Sequence, residues 1–127
     1  MNDESNKTHS NSKSVGKTGE DLAENILIEA GYKIIKRNFR FGHGEIDIVA
    51  MDGDCLVFVE VKSRRTLEYG EPEYSITQSK IKQLKRIAEA YYYINKIESQ
   101  ECRFDVITIL GDLKNNPKIN HIKNAFY

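Results

Sequence analysis

The sequence predicts an α/β domain, a mixed sheet flanked by helices in the order helix, three strands, helix, strand. Three observations carry that prediction. Residues 44–50 and 57–62 are rich in β-branched side chains and are joined by Asp52-Gly53-Asp54, the strongest short-range hairpin signal. Segments 17–30 and 76–97 repeat apolar residues at helical spacing on either side of that hairpin. Residues 102–110 form a near-continuous apolar run after the second helix, where joining the sheet takes a crossover.

In chain order, residues 1–14 are mostly Asn, Ser, Lys and Thr with no apolar side chain beyond the initiator. They cannot offset the entropy of ordering and are expected to form a disordered tail before a single domain at 15–127. Gly16-Lys17-Thr18 lacks the upstream glycine and preceding strand of a phosphate loop. Leu22, Ala23, Ile26, Leu27 and Ala30 give the first helix its apolar stripe, and Gly31 stops it. Glu20 lies about 20° from Leu27 on the helical wheel, at the rim of that stripe. Two placements stay open for it: leaning over the sheet toward the hairpin, or a solvated first-turn charge favoured by the helix dipole.

Residues 32–40 read as a strand with a basic rim of Lys33, Lys36, Arg37 and Arg40, and Phe41-Gly42-His43-Gly44 links it to the hairpin as a meander. After Ser63, Arg64 and Arg65, the stretch around Gly70 and Pro72 is too punctuated to be regular. In the second helix Ile81, Leu84, Ala88 and Tyr91 line one face, Lys82 and Arg86 point outward, and Tyr93 is exposed. Lys80, about 40° from Leu84, sits where it can snorkel toward the hairpin. The alternation at Ile119 and Ile122 adds a candidate edge strand.

Composition narrows the function. The 127 residues carry 19 acidic and 19 basic side chains, which argues against a generic polycation coating nucleic acid. Cys55 and Cys102 match no metal-ligand spacing and are expected as free thiols of a cytoplasmic protein. No apolar run approaches the roughly 18 residues of a membrane span, so no membrane partner is expected.

The hairpin strands carry charges where buried strands should be apolar. With Gly53 and Asp54 as the loop, Asp52 pairs with Cys55, Val49 with Phe58 and Asp47 with Glu60; moving the turn back by one residue sets Glu45 opposite Glu60. In either register the period-2 pleat leaves Asp47, Glu60 and Lys62 on one face, with two carboxylates roughly 5 Å apart at Cβ. Such a pair needs positive charge between them, and Lys62 supplies only one. Oxygen-only donors without histidine or thiolate suit Mg²⁺ or Mn²⁺ rather than zinc. Carboxylate-held Mg²⁺ beside a lysine is the equipment of phosphodiester hydrolysis. Glycoside hydrolysis fits less well, because it wants an open cleft lined with aromatics and the chain has no Trp.

Asp47, twelve intervening residues and then Glu60-Val61-Lys62, after a helix bearing Glu20, resemble the PD-(D/E)xK signature of the restriction-endonuclease-like superfamily. The spacing is similar to that of archaeal Holliday-junction resolvases. The chain also resembles the YraN-like family of small bacterial proteins through Gly19-Glu20, Gly31-Tyr32, Arg37-Asn38, Gly44-Glu45-Ile46-Asp47, Phe58-Val59-Glu60-Val61-Lys62, Arg103-Phe104-Asp105-Val106 and Asn124-Ala125-Phe126. The resemblance implies a restriction-endonuclease-like αβββαβ core. It also implies metal ligands at Asp47 and Glu60, a carbonyl ligand from Val61, a supporting carboxylate at Glu20 and a catalytic lysine at Lys62. Ile46 stands where the superfamily name has proline, which is not a ligand. Gln83 is followed by Ile87 rather than tyrosine, which sets the chain apart from the helicase-linked exonuclease branch.

The resulting expectation is a Mg²⁺- or Mn²⁺-dependent endonuclease for structured or branched DNA, with DNA ahead of RNA. Lys33, Lys36, Arg37, Arg40, Arg64, Arg65 and Lys80 would contact the backbone without reading sequence. A homodimer would bring two such sites to two strands. The alternative is a catalytically inactive nucleic-acid-binding or adaptor protein that keeps the nuclease fold.

Overall fold

A computed structural model describes residues 11–66 and 76–126, with the side chains of residues 11–18 outside that description. Helix α1 spans Asn11–Glu29, followed by strands β1 (Lys33–Phe41), β2 (Gly44–Asp52) and β3 (Cys55–Arg64). Helix α2 (Gln78–Ile94) leads to β4 (Cys102–Leu110) and β5 (Lys118–Phe126). The five strands form one mixed sheet in the order β1-β2-β3-β4-β5, antiparallel except for the parallel β3–β4 pair that the α2 crossover makes necessary.

The expected αβββαβ order is present, and the candidate edge strand is β5. Residues 1–10 of the expected tail and the stretch holding Gly70 and Pro72 lie outside the described residues. Residues 11–14, assigned to the tail from composition, are instead part of α1. Ser, Asn and Lys lose only a few tenths of a kcal/mol each in a helix, so a helix anchored by packing further along extends through them. At its other end Gly31 adopts φ +96°, and the Tyr32 N–H closes onto the Leu27 carbonyl at 2.9 Å, turning the chain into β1. Thr77 caps α2 by accepting from the Lys80 N–H at 3.1 Å.

The hairpin register is the one that a Gly53–Asp54 loop dictates, with Asp52 opposite Cys55 and Val49 opposite Phe58. Each sheet face is covered by one helix. Ala23 and Leu27 of α1 pack with Tyr32, Ile48, Ala50, Val57, Val59, Ile107 and Ile109. Leu84, Ile87, Ala88 and Tyr91 of α2 pack with Phe39, Ile46, Val49, Leu56, Phe58 and Phe104.

These two cores show that the pleat is interrupted. Strict alternation would put Ile46 on the same face as Ile48, yet Ile46 lies in the α2 core and Ile48 in the α1 core. Their partners on β1 divide in the same way: Phe39, opposite Ile46, joins the α2 core, while Arg37, opposite Ile48, reaches acidic residues of α1. Between these pairs lie Asn38, at φ +57°, and Asp47. The left-handed residue resets the pleat where the acidic part of β2 begins.

Candidate metal centre

The reset changes which carboxylates meet. Carboxylate oxygens of Glu20, Glu45 and Asp47 lie within 4.8 Å of one another. Glu20 therefore takes the first of its two open placements, leaning from α1 over the sheet. Glu45, which the hairpin arithmetic set opposite Glu60 only in the shifted register, stands in this group on equal terms. Glu60 is only 8% exposed and turns toward α2, where the Lys80 ammonium lies 3.7 Å from its Oε2. Asp47, next to the Ile48–Val59 pair, keeps Glu60 as the foremost charge acting on it and also joins Glu20 and Glu45, so the reset adds two acids to the expected pair.

The electrostatics follow from this crowding. Burial, then the Glu60 charge, then Glu20 and Glu45 push the Asp47 carboxyl up to about 7, against the Val61 N–H that donates to its Oδ2 at 2.8 Å. Burial also raises Glu60, opposed by the Lys80 and Lys62 ammonium groups. Lys62 is half-buried, and desolvation lowers its pKa against the pull of Glu60. Val61, expected as a carbonyl ligand, is tied to Asp47 through its N–H.

Two residues on β1 frame the acids. The Arg37 guanidinium contacts Asp21 at 2.7 Å, Glu24 at 2.8 Å and Glu20 at 3.2 Å, so this expected DNA contact is turned toward α1. The Asn38 amide donates to Glu45 Oε2 at 2.5 Å and to both Glu20 oxygens at 3.2 and 3.3 Å. Asn38 carried no role in the sequence reading. Its signal was present only as part of the Arg37-Asn38 pair in the family resemblance.

Of the other expected DNA contacts, Lys33, Lys36 and Arg65 are exposed and, among the described residues, have no acidic partner. Arg40 lies 3.5 Å from Glu45 and is 75% exposed. Arg64 lies at the end of β3, its guanidinium 3.5 Å from the Ser63 carbonyl. Lys80 does snorkel toward the hairpin, onto Glu60.

A second polar cluster escaped the sequence reading. Asp105 is fully buried in β4 and accepts from Arg103 Nε at 2.9 Å, the Asn124 N–H at 3.0 Å and the Tyr32 hydroxyl at 3.4 Å, with His121 Nε2 at 2.8 Å. Arg103 also bonds the Tyr32 hydroxyl and, at 3.0 Å, Asp52. A charged residue inside the apolar run of residues 102–110 was the available signal.

Fold and site together define a class: an α/β domain with a mixed five-stranded sheet and a helix on each face, consistent with a restriction-endonuclease-like core. Residues 19–109 match the model of the Uncharacterised protein family UPF0102, and the chain belongs to that family, the YraN family of the resemblance above. A UPF0102 protein of Caldicellulosiruptor saccharolyticus is 44% identical over 119 residues, covering 91% of this chain and 99% of the relative. One from Caldicellulosiruptor bescii is 48% identical over 120 residues, with the same coverage. One from Trichlorobacter lovleyi is 46% identical over 113 residues, covering 88% and 89%.

Proposed function

We propose that this chain is a Mg²⁺- or Mn²⁺-dependent endonuclease that hydrolyses phosphodiester bonds in structured or branched DNA. The observation that carries the reading is Asp47: a carboxylate among Glu20, Glu45 and Glu60 whose pKa is pushed up to about 7. Protein stability gives no reason to gather these acids, and the conflict is of the kind that marks a functional site. The donor set is all oxygen and fits a hard divalent ion.

When bound, such an ion supplies an activated water and neutralises phosphate oxygens. Asp47 and Glu60 would hold it, Glu20 and Glu45 would assist from the same group, and the Val61 carbonyl is the main-chain candidate. The chain's own groups complete the chemistry. The Val61 N–H fixes the Asp47 carboxylate, and Lys80 fixes Glu60 from α2. Lys62, beside Glu60, would donate from Nζ to a phosphate oxygen as charge develops there. Water adds to phosphorus, the ester P–O bond breaks, and the alcohol leaves carrying a proton. Lys33, Lys36, Arg40, Arg64 and Arg65 would contact the backbone, and a homodimer would present two sites to two strands.

The Lys80–Glu60 and Arg37–Glu20 pairs favour a second reading, in which protein cations hold the acids on a non-catalytic DNA-binding scaffold. Calorimetric titration with Mn²⁺, run beside cleavage assays on junction, flap and single-stranded DNA, separates the two. The nuclease reading requires Mn²⁺ binding that Asp47→Asn abolishes and cleavage that Lys62→Met abolishes. Mn²⁺ binding without cleavage of any substrate leaves the scaffold.

A further inference from the structure

Asn38 is the residue where backbone and side chain serve the acidic site at once. Its φ of +57° resets the pleat, so that Arg37 faces α1 while Phe39 enters the α2 core. Its side chain then reaches carboxylates from two different elements, Glu20 of α1 and Glu45 of β2. Lys or Arg could reach them too, but each enters the left-handed region less readily than Asn and carries a full positive charge that competes with a cation. Asn enters that region readily and brings a neutral donor. Glycine would satisfy the backbone and leave the two acids unbridged.

We infer that Asn38 is a positioning residue of the metal centre: its neutral amide clasps Glu20 to Glu45 and presents both carboxylates to a divalent cation without taking a coordination position. This rests on the metal-binding part of the proposed function. Groups that orient metal ligands through hydrogen bonds typically change metal affinity by about 10- to 100-fold when removed.

The test uses the full chain, Mn²⁺ as the probe, and two variants. Asn38→Gly keeps the backbone conformation and removes the amide. Its Mn²⁺ affinity should fall about tenfold or more, while the metal-free melting temperature stays within about 4 °C of wild type, the shift of a minor structural change. Asn38→Asp keeps size and left-handed tolerance but replaces the donor with a fourth carboxylate. Its metal-free melting temperature should fall by about 5 °C or more, and saturating Mn²⁺ should recover most of the loss. Unchanged Mn²⁺ affinity in Asn38→Gly, or an Asn38→Asp protein as stable without metal as wild type, overturns the role of Asn38 and leaves the metal site standing. Wild-type protein that takes up no Mn²⁺ overturns the metal reading and this inference together.

Discussion

At the scale of single residues, Asp47 has the clearest measurable consequence. Its folded pKa of about 7 lies above the ordinary value of 3.8, so the native state binds the extra proton. The linkage sign follows: its contribution to stability is fully present below about pH 4 and is lost as pH rises through about 7. Asp47→Asn removes the charge that causes the loss. The metal-free variant should therefore be more stable than wild type at pH 8, by on the order of 2–4 kcal/mol, and nearly equal to it at pH 4. Urea unfolding at the two pH values measures the difference, and a variant less stable than wild type at pH 8 contradicts the crowding described above. A cation at the site must displace the same proton. Mn²⁺ affinity should rise with pH through about 7, and buffers of different ionisation enthalpy should reveal proton release on binding.

Elements are fastened by the second polar cluster. Strand β5 is mostly exposed, yet its His121 side chain and Asn124 N–H both reach Asp105 on β4. Burial works to raise the Asp105 pKa, and the hydrogen bonds from His121, Arg103 and the Asn124 N–H outweigh it, holding the carboxyl below its usual range. With a depressed pKa the sign reverses from that of Asp47. Stability from Asp105 is present above about pH 4 and is lost as pH falls through its folded value. Asp105→Ala leaves Arg103 and Tyr32 without their buried acceptor and should cost about 3–5 kcal/mol at pH 7. Hydrogen exchange should show β5 amides losing protection ahead of β2 and β3, and uniform loss across the sheet would contradict a local fastening. At the opposite side of the sheet, a Cβ on Gly44 would stand 2.5 Å from Ile87 Cδ1 and 3.1 Å from Gln83 of α2. Gly44→Ala should cost about 1 kcal/mol or less, because the atoms in the way are the movable ends of the Ile87 and Gln83 side chains rather than backbone.

Over the whole molecule, what the sequence reveals divides at the pleat reset. Strand and helix order, the hairpin register and the crossover follow from periodicity and one Asp-Gly pair, which are local signals. Asp47 and Glu60 stand out because each breaks a local pattern. The grouping of Glu20 with Glu45 was only partly legible, since it depends on a positive φ at Asn38, and nothing in the spacing of 32–40 marks that residue. The Asp105 cluster joins residues 32, 52, 103, 105, 121 and 124, separations that periodicity does not relate. The same internal pairing limits how the molecule would meet DNA under the proposed function. Acidic and basic side chains balance at 19 each, and of the seven cations expected on the backbone, Arg37 and Lys80 are engaged by acids of the site while Arg40 lies near Glu45. Lys33, Lys36 and Arg65 are left facing solvent without an acidic partner among the described residues, with Arg64 beside Arg65. Three phosphate contacts correspond to a slope of log K against log salt of about −3, since each contact adds about −0.9. Affinity for junction DNA, measured with Asp47→Asn and no divalent ion present, should show that shallow slope and be weak at physiological salt. Lys36→Ala should reduce the slope by about one across all DNA shapes alike, whereas Arg37→Ala should leave it nearly unchanged and lower stability instead, because its guanidinium faces α1.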